Sequence, residues 1–403
     1  MKSSSSSEKI SERIQERGPL TVAAFMDLAL YDSDAGYYAR ASQRSGLAGD
    51  FFTSVDVGPI FGELLAVQIA EMSRLLTTEG AFDLVEAGAG NGRLCADILR
   101  AVRNLDPALY ERVRVHLVDS SAAARDAHRR TLDDVADRLA SSAPRLPAAF
   151  EGVLVANELL DAMPVHQVVM REGGLREVYV DVRRPDAATP SSWCGGSALH
   201  IVEGPPSTPA LEAYLKRLDV ELQPGWRAEV NLCGVDWIRD AARRLERGFM
   251  IVIDYGSEAR HLYSPAHADG TLTAFARHMM AGPEPTAAEP PWLQCPGERD
   301  ITAHVDFTSL RAAAEAEGMQ TLGFLDQTYF LMGLMSSNGS PDAYDPSSAN
   351  LADLASPARL KSRLALKTLL MPGGLGSTHK VLVLGKNIGT PLLRGCSYRL
   401  RVT

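Results

Sequence analysis

The sequence predicts an α/β fold built on a mostly parallel sheet, and three observations carry that expectation. From residue 82 onward, short apolar runs alternate with helical stretches, the signature of strand–helix–strand units. A glycine-rich turn, Glu86-Ala87-Gly88-Ala89-Gly90-Asn91-Gly92, lies between the first strand and its helix. Polar residues stand where the strands end: Asp119, Asn157-Glu158 and Asp254. Open parallel sheets bind ligands at the carboxyl ends of their strands.

The elements follow in order. The Ser-rich residues 2–7 read as a polar, disordered tail. Ile10 and Ile14 share one face of a short helix that stops at Gly18-Pro19. Thr21 is an N-cap for a helix through about Leu30. Residues 31–60 carry GYY and GDFFTSVDVG and read as ordered loop, because linkers rarely hold five aromatics. Pro59 opens a helix with apolar residues at 61, 64, 65, 69 and 72. FDLVEAG and NGRLCADILRAVRNL form the first strand–helix pair, and VRVHLVD and SAAARDAHRRTLDDVADRLA the second. EGVLVANE is a third strand. VVMREGGLREVYVDV reads as a hairpin, residues 183–209 as irregular, and WRAEVNL as the point where the sheet resumes. A helix, VDWIRDAARRLERG, leads to the strand FMIVIDYG. Residues 257–300 are Pro-rich and read as an insertion over the top of the sheet. FTSLRAAAEAEG and TYFLMGLM are helices, 336–350 a polar linker, and HKVLVLGK a late strand suited to an edge.

Composition excludes several classes. The 403 residues hold 41 basic and 50 acidic side chains, a formal net charge of −9. A basic surface, which nonspecific nucleic-acid binding requires, is not expected. No apolar run reaches the length of a membrane span, so no membrane partner is expected. The N-terminus lacks the apolar stretch of a signal peptide, and Glu8, Glu12 and Glu16 argue against a transit peptide. The five cysteines are scattered without a CxxC pair, which predicts reduced thiols, no metal and a cytoplasmic location.

The glycine turn carries the chemistry. Glycines there permit positive φ and let a ligand lie against the backbone, and the helix start offers free N–H groups to an anion. Arg93 occupies the position where a dinucleotide fingerprint needs Gly or Ala, and no GK[ST] ending makes a P-loop. Asp119 can accept both ribose hydroxyls of a nucleoside cofactor or cap the next helix. Asn157, Glu158 and Asp161 at the third strand's end can orient a nucleophile or take its proton; Asp161 can also cap a helix. Asp254 is placed analogously. His304 and Asp306, spaced i and i+2, share one face if extended, for substrate contact or for packing. A metal would want more ligands.

The E-x-G-x-G-x-G pattern resembles the first motif of class I S-adenosylmethionine methyltransferases. The ordered set of motifs is more specific: GPLTVAAFM (18–26), GYY (36–38), GDFFTS (49–54), FGELL (61–65), VEAGAGNGRL (85–94), ANELLDAMPV (156–165), AEVN (228–231), GFMIVIDYG (248–256), GTL (270–272), ERDITAHVDF (298–307) and HKVLVLGK. Together, over about residues 10–390, it resembles the MidA-like family, which includes the mitochondrial complex I assembly methyltransferase that modifies a protein arginine. The resemblance implies a Rossmann-like class I methyltransferase with a seven-stranded, mostly parallel sheet. It implies an N-terminal helical extension (1–80), a core (81–256), an inserted cap or substrate region (257–350) and a C-terminal part completing the sheet (351–403). It implies S-adenosylmethionine as donor and S-adenosylhomocysteine as product. Glu86, Gly88, Gly90, Gly92 and Asp119 fall at the cofactor, with Thr53, Ser54 and Asn157 around it. Glu158, Asp161 and Asp254 become candidate catalytic carboxylates, and Tyr37, His304 and Asp306 candidate substrate contacts.

Two departures mark a diverged member: Ala89 stands where the family has proline, and Val55-Asp56 where it has Pro-Glu. The first acceptor expectation is a protein arginine. The alternative is a small molecule methylated on O or N in a biosynthetic pathway, and a third reading is a non-catalytic assembly factor. The absence of an acid-poor leader fits a bacterial cytoplasm. No heptad run calls for an oligomeric partner.

Overall fold

A computed structural model describes residues 5–39, 53–76, 80–183, 199–276, 279–281, 289–335, 357–371 and 375–398. The predicted linker at 336–350 lies outside them. By spatial contact the chain divides into two units, each assembled from three stretches.

One unit comprises Phe52–Leu159, Ile238–Tyr255 and Arg311–Thr403. Its sheet runs from Leu139–Ala143 through Val113–Val118, Phe82–Ala87, Phe150–Asn157 and Leu245–Ser257 to His379–Lys386 and Gln320–Asp326. The first five strands are parallel. His379–Lys386, expected as a partner for an edge, runs antiparallel to both of its neighbours and lies inside the sheet. The sheet is therefore mixed. Gly256, Ser257 and the short strand Val305–Asp306, which pair in parallel, belong to the other unit. Every residue of Phe82–Ala87 is buried, as in sheets covered on both faces.

Helix Ile60–Leu76 forms because apolar side chains recur every three to four positions. Its Phe61, Leu64, Leu65 and Ile69 pack in one cluster with Leu84, Val153, Val155, Phe249 and Ile251 of the sheet. Helix Arg93–Leu105 starts at Gly92, which is in the left-handed region, and ends at Asp106. Asp106 in turn accepts the Leu109 amide and caps Pro107–Arg112. Two strands, Leu139–Ala143 and Gln320–Asp326, and helix Pro357–Leu370 went unread in the sequence. The first is a short Ala/Ser segment, too polar to carry a strand signature.

The other unit comprises Met1–Phe51, Leu160–Trp237 and Gly256–Leu310. Its first helix begins at Ser6, inside the segment 2–7 expected to be disordered. Ser5 caps it, with the Glu8 amide donating to Ser5 Oγ at 3.3 Å and the Ser5 amide to Glu8 Oε2 at 2.8 Å. Five antiparallel strands follow: Leu20–Thr21, His166–Arg171, Gly174–Val182, Leu199–Gly204 and Arg227–Val230. The WRAEVNL segment pairs here with His166–Arg171 and does not resume the parallel sheet. Val22, Phe25 and Leu30 pack against Val169, Val178, Val180 and Trp292. Cys295 is disulfide-bonded, which corrects the expectation of reduced thiols throughout; Cys95, Cys233 and Cys396 are free. Among the described residues no helix is long and apolar enough to cross a membrane.

Candidate active site

The glycine turn folds as its composition demands. Gly88, Gly90 and Gly92 all take positive φ, at 72°, 52° and 86°. The amides of Gly88 and Ala89 donate to the Val118 carbonyl of the next strand, at 2.9 and 3.1 Å. Asp119 then closes the loop: Oδ2 accepts the Gly90 amide at 2.9 Å, and Oδ1 accepts the Ser121 amide at 2.8 Å. Burial raises the Asp119 pKa, and those two amides oppose the rise. Around Gly90 the space that a side chain would fill is open.

Glu86 lies beneath the loop. Its Oε2 accepts the Cys95 amide at 3.1 Å, in the first turn of helix Arg93–Leu105, where Gly92 has no side chain to cap with. Burial pushes its pKa up to about 8, with the Cys95 amide opposing and the Asp119 and Asp97 carboxylates adding to the rise. His128 is a loop support that sequence reading missed. It is fully buried, with Nε2 2.9 Å from the Gly90 carbonyl and Nδ1 2.9 Å from Ser142 Oγ. The carbonyl can only accept, so Nε2 carries the proton. Burial holds the ring's pKa below the usual histidine value. Nothing in the sequence near Ala127 marks this residue, because its partners are brought to it by the fold.

The Thr53-Ser54 turn is tied down at both ends. Asp56 Oδ2 accepts the Thr53 amide at 3.0 Å and the Thr53 hydroxyl at 2.9 Å. Asp56 Oδ1 receives Arg93 Nη1 at 3.1 Å, while Arg93 Nη2 reaches the Val55 carbonyl at 2.5 Å. Arg93, which breaks the dinucleotide pattern, thus joins this turn to the glycine loop's helix. Ser54 Oγ accepts from Gln327 Nε2 at 3.0 Å.

Asn157 and Glu158 end the third parallel strand. Glu158 sits at φ 51°, a left-handed conformation uncommon for a residue with a side chain and characteristic of constrained sites. Its amide donates to the Ile253 carbonyl at 2.9 Å. Glu158 Oε1 is approached by three groups: the Ser54 amide at 3.4 Å, Asn157 Nδ2 at 3.2 Å and His379 Nε2 at 3.9 Å. Among the described residues Oε2 has no hydrogen-bond partner. Asn157 Oδ1 is buried, and it too has no partner among the described residues. Asp254 is fully buried and grips the turn around Glu158: Oδ2 accepts the Leu159 amide at 3.1 Å, and Oδ1 the Tyr255 amide at 2.7 Å.

The remaining sequence candidates belong to the other unit. Asp161 offers its carbonyl to the Ala303 amide at 2.9 Å. Tyr37 is fully buried and meets the Tyr38 ring edge-on. Asp306 is a helix cap: it accepts the Thr308 and Ser309 amides, the Ser309 hydroxyl at 2.6 Å and the Tyr214 hydroxyl at 2.7 Å. His304 meets His267 edge-on at 5.4 Å, and burial together with that neighbour lowers its pKa to about 4. His304 lies between the short strands Asp300–Thr302 and Val305–Asp306, outside both. Among the described residues no group of three or more His, Cys, Asp or Glu side chains could hold a metal.

A family model described as S-adenosyl-L-methionine-dependent methyltransferase matches residues 64–325. Protein arginine methyltransferase NDUFAF7, mitochondrial, of Rattus norvegicus is 30% identical over 350 residues, covering 80% of this chain and 72% of the relative. The Mus musculus counterpart is 30% identical over 394 residues, covering 89% and 82%. A crystal structure of a COG1565 superfamily member from Burkholderia thailandensis, bound to S-adenosyl-homocysteine, superposes with a TM-score of 0.81 at 27% identity, covering 97% of this chain and 94% of that one. These findings overturn the expectation of a bacterial cytoplasmic protein: the named sequence relatives are mitochondrial proteins of animals, and a bacterial structural neighbour does not establish where this chain works. The residues of the site suit the cofactor that the family uses. The open space at Gly90, the strand-end carboxylate of Asp119 and the unpartnered Asn157 Oδ1 are groups a polar nucleoside ligand can engage. The chain belongs to the S-adenosyl-L-methionine-dependent methyltransferase family and is an enzyme that uses S-adenosylmethionine as its methyl donor.

Proposed function

We propose that the chain methylates an arginine nitrogen of a protein acceptor, and that Glu158 orients the guanidinium. The observation that carries this reading is the geometry of one carboxylate. Three groups converge on Glu158 Oε1, and Oε2 is without a partner among the described residues. The backbone holds the side chain at a strand end in a strained conformation. The names of the relatives add support for arginine as the acceptor.

The cofactor, when bound, supplies an electrophilic methyl on a sulfonium. The protein's task is orientation, because in-line transfer needs the nucleophile about 3–3.5 Å from the methyl carbon. An arginine is charged at neutral pH, and its lone pairs are delocalised. A carboxylate paired with it draws positive charge toward the nitrogens it binds and away from the one that reacts. Glu158 supplies that carboxylate. Asp254 keeps the turn in place by accepting the Leu159 amide. In the same reading Gly88, Gly90 and Gly92 receive the methionine part of the cofactor, and Asp119 its ribose hydroxyls. Asn157 and the Thr53-Ser54 turn complete the enclosure.

The test is incubation with radiolabelled S-adenosylmethionine and cell lysate, followed by acid hydrolysis of the protein fraction and identification of labelled amino acids. Labelled methylarginine supports the proposal. Label confined to the small-molecule fraction overturns it in favour of a small-molecule methyltransferase.

A further inference from the structure

We propose that His379 is a positioning residue for Glu158 and the second stop for the proton that leaves the acceptor nitrogen. The inference rests on the arginine reading above and deepens it. His379 begins the antiparallel strand His379–Lys386, and its side chain is nearly fully buried. Nδ1 lies 3.0 Å from the Leu375 carbonyl, which can only accept, so the Nδ1 position keeps its proton. The neutral ring then turns the lone pair of Nε2 toward Glu158 Oε1 at 3.9 Å. That separation is too long for a hydrogen bond and short enough for an ion pair once the ring is charged. The Tyr255 ring meets the imidazole edge-on at 5.8 Å and limits its rotation.

Charged and titratable groups face the ring from each neighbouring element. Glu158 comes from the third strand's end, Asp254 and Tyr255 from the adjoining strand, and the Thr378 hydroxyl from the preceding turn. Lys380, next in sequence, is paired with Asp326. Burial disfavours the charged ring, but the Glu158 and Asp254 carboxylates outweigh it, and the imidazole titrates above the usual histidine value. Tyr255 is held neutral by burial. A histidine so placed is a better proton sink near neutral pH than an ordinary carboxylate.

The step balances without a further reactant. As the N–C bond forms, the S–C bond breaks and its electron pair stays on sulfur, leaving a neutral thioether. The positive charge passes to nitrogen, which loses one N–H proton to Glu158. Glu158 passes it to His379 Nε2 once the two close from 3.9 Å to hydrogen-bond reach, which restores the carboxylate beside an imidazolium.

The experiment follows the histidine ring signals of carbon-13-labelled protein by NMR against pH, with S-adenosylhomocysteine present. H379Q assigns the His379 signal. The expected result is a His379 midpoint above the ordinary range in the native protein, moving downward in E158Q. A midpoint that E158Q leaves in place overturns the coupling. Label transfer to the lysate protein fraction is measured in parallel. H379Q is expected to lower the rate on the order of tenfold and to flatten its pH dependence, with S-adenosylhomocysteine affinity kept. An unchanged rate and profile in H379Q, with E158Q inactive, overturns this inference alone. Full activity in E158Q overturns the Glu158 reading beneath it. If H379Q does not fold, triple-resonance spectra of the native protein assign the His379 signal, and the native and E158Q titrations still decide the coupling.

Discussion

Gly90 and Asp119, 29 positions apart in sequence, meet through a hydrogen bond from the Gly90 amide to Asp119 Oδ2 at 2.9 Å. The loop and the acid that flank the candidate cofactor site are thus one structural piece. Replacing Asp119 with Asn leaves one acceptor where there were two and removes the charge. The expected result is a loss of S-adenosylhomocysteine affinity of about tenfold to a hundredfold, since a hydrogen bond to a charged group is worth about 1.5–3 kcal/mol. Isothermal calorimetry checks it, and an unchanged dissociation constant would remove Asp119 from the site.

Arg93 ties the Thr53-Ser54 turn to the glycine loop's helix through Asp56, whose carboxylate is almost fully buried. Arg93→Ala leaves that carboxylate without its cation. The expected cost is about 1–3 kcal/mol of stability, read by chemical denaturation. Stability equal to that of the native protein would show that the turn is held by Thr53 alone.

Glu86 gives a pH dependence with a definite sign. Its folded pKa is raised from the ordinary 4.5 to about 8, so the folded state binds its proton more tightly than the unfolded state does. That stabilisation is complete below about pH 4.5 and is lost as pH rises through about 8. Glu86→Gln keeps an oxygen for the Cys95 amide and removes the titration. Denaturation free energies measured across this window should show the native protein losing stability relative to E86Q as pH rises. A difference that stays constant with pH contradicts the assignment.

Asp306 has the contacts of a helix cap. Asp306→Ala strips the first turn of helix Phe307–Ala316 of its acceptor and removes the carboxylate that accepts the Tyr214 hydroxyl. The expected loss is about 1–3 kcal/mol, with Asp306→Asn recovering part of it through its amide oxygen. Thermal melts of the two variants test the distinction; identical melting for Ala and native protein would refute the cap.

Much of the parallel part of the fold was legible in the sequence because its signals are local. Phe82–Ala87, Val113–Val118 and Phe150–Asn157 are short segments rich in apolar residues, and the glycines between the first strand and its helix announce the turn. What escaped was set by partners distant in sequence. WRAEVNL reads like any strand, and only its register with His166–Arg171 shows which sheet it joins. HKVLVLGK gives no sign that it lies between two strands. His128 and His379 carry no motif of their own; each gains its role from a carbonyl that fixes its tautomer and from a group across the fold. Asp306 shows the reverse case, a residue whose spacing left chemistry and packing equally open. The segment that follows, Thr308-Ser309, already carried the pattern of a capped helix.

The most direct measurement is the turnover of Glu158→Gln. The amide preserves shape and an oxygen for the Ser54 and Asn157 donors while removing the charge that pairs with a guanidinium. Radiolabel transferred from S-adenosylmethionine to arginine in the protein fraction should fall by about a hundredfold or more, while S-adenosylhomocysteine affinity by calorimetry stays within about threefold, a difference of less than 1 kcal/mol. Labelling of arginine at the native rate by E158Q would contradict the central role given to this carboxylate.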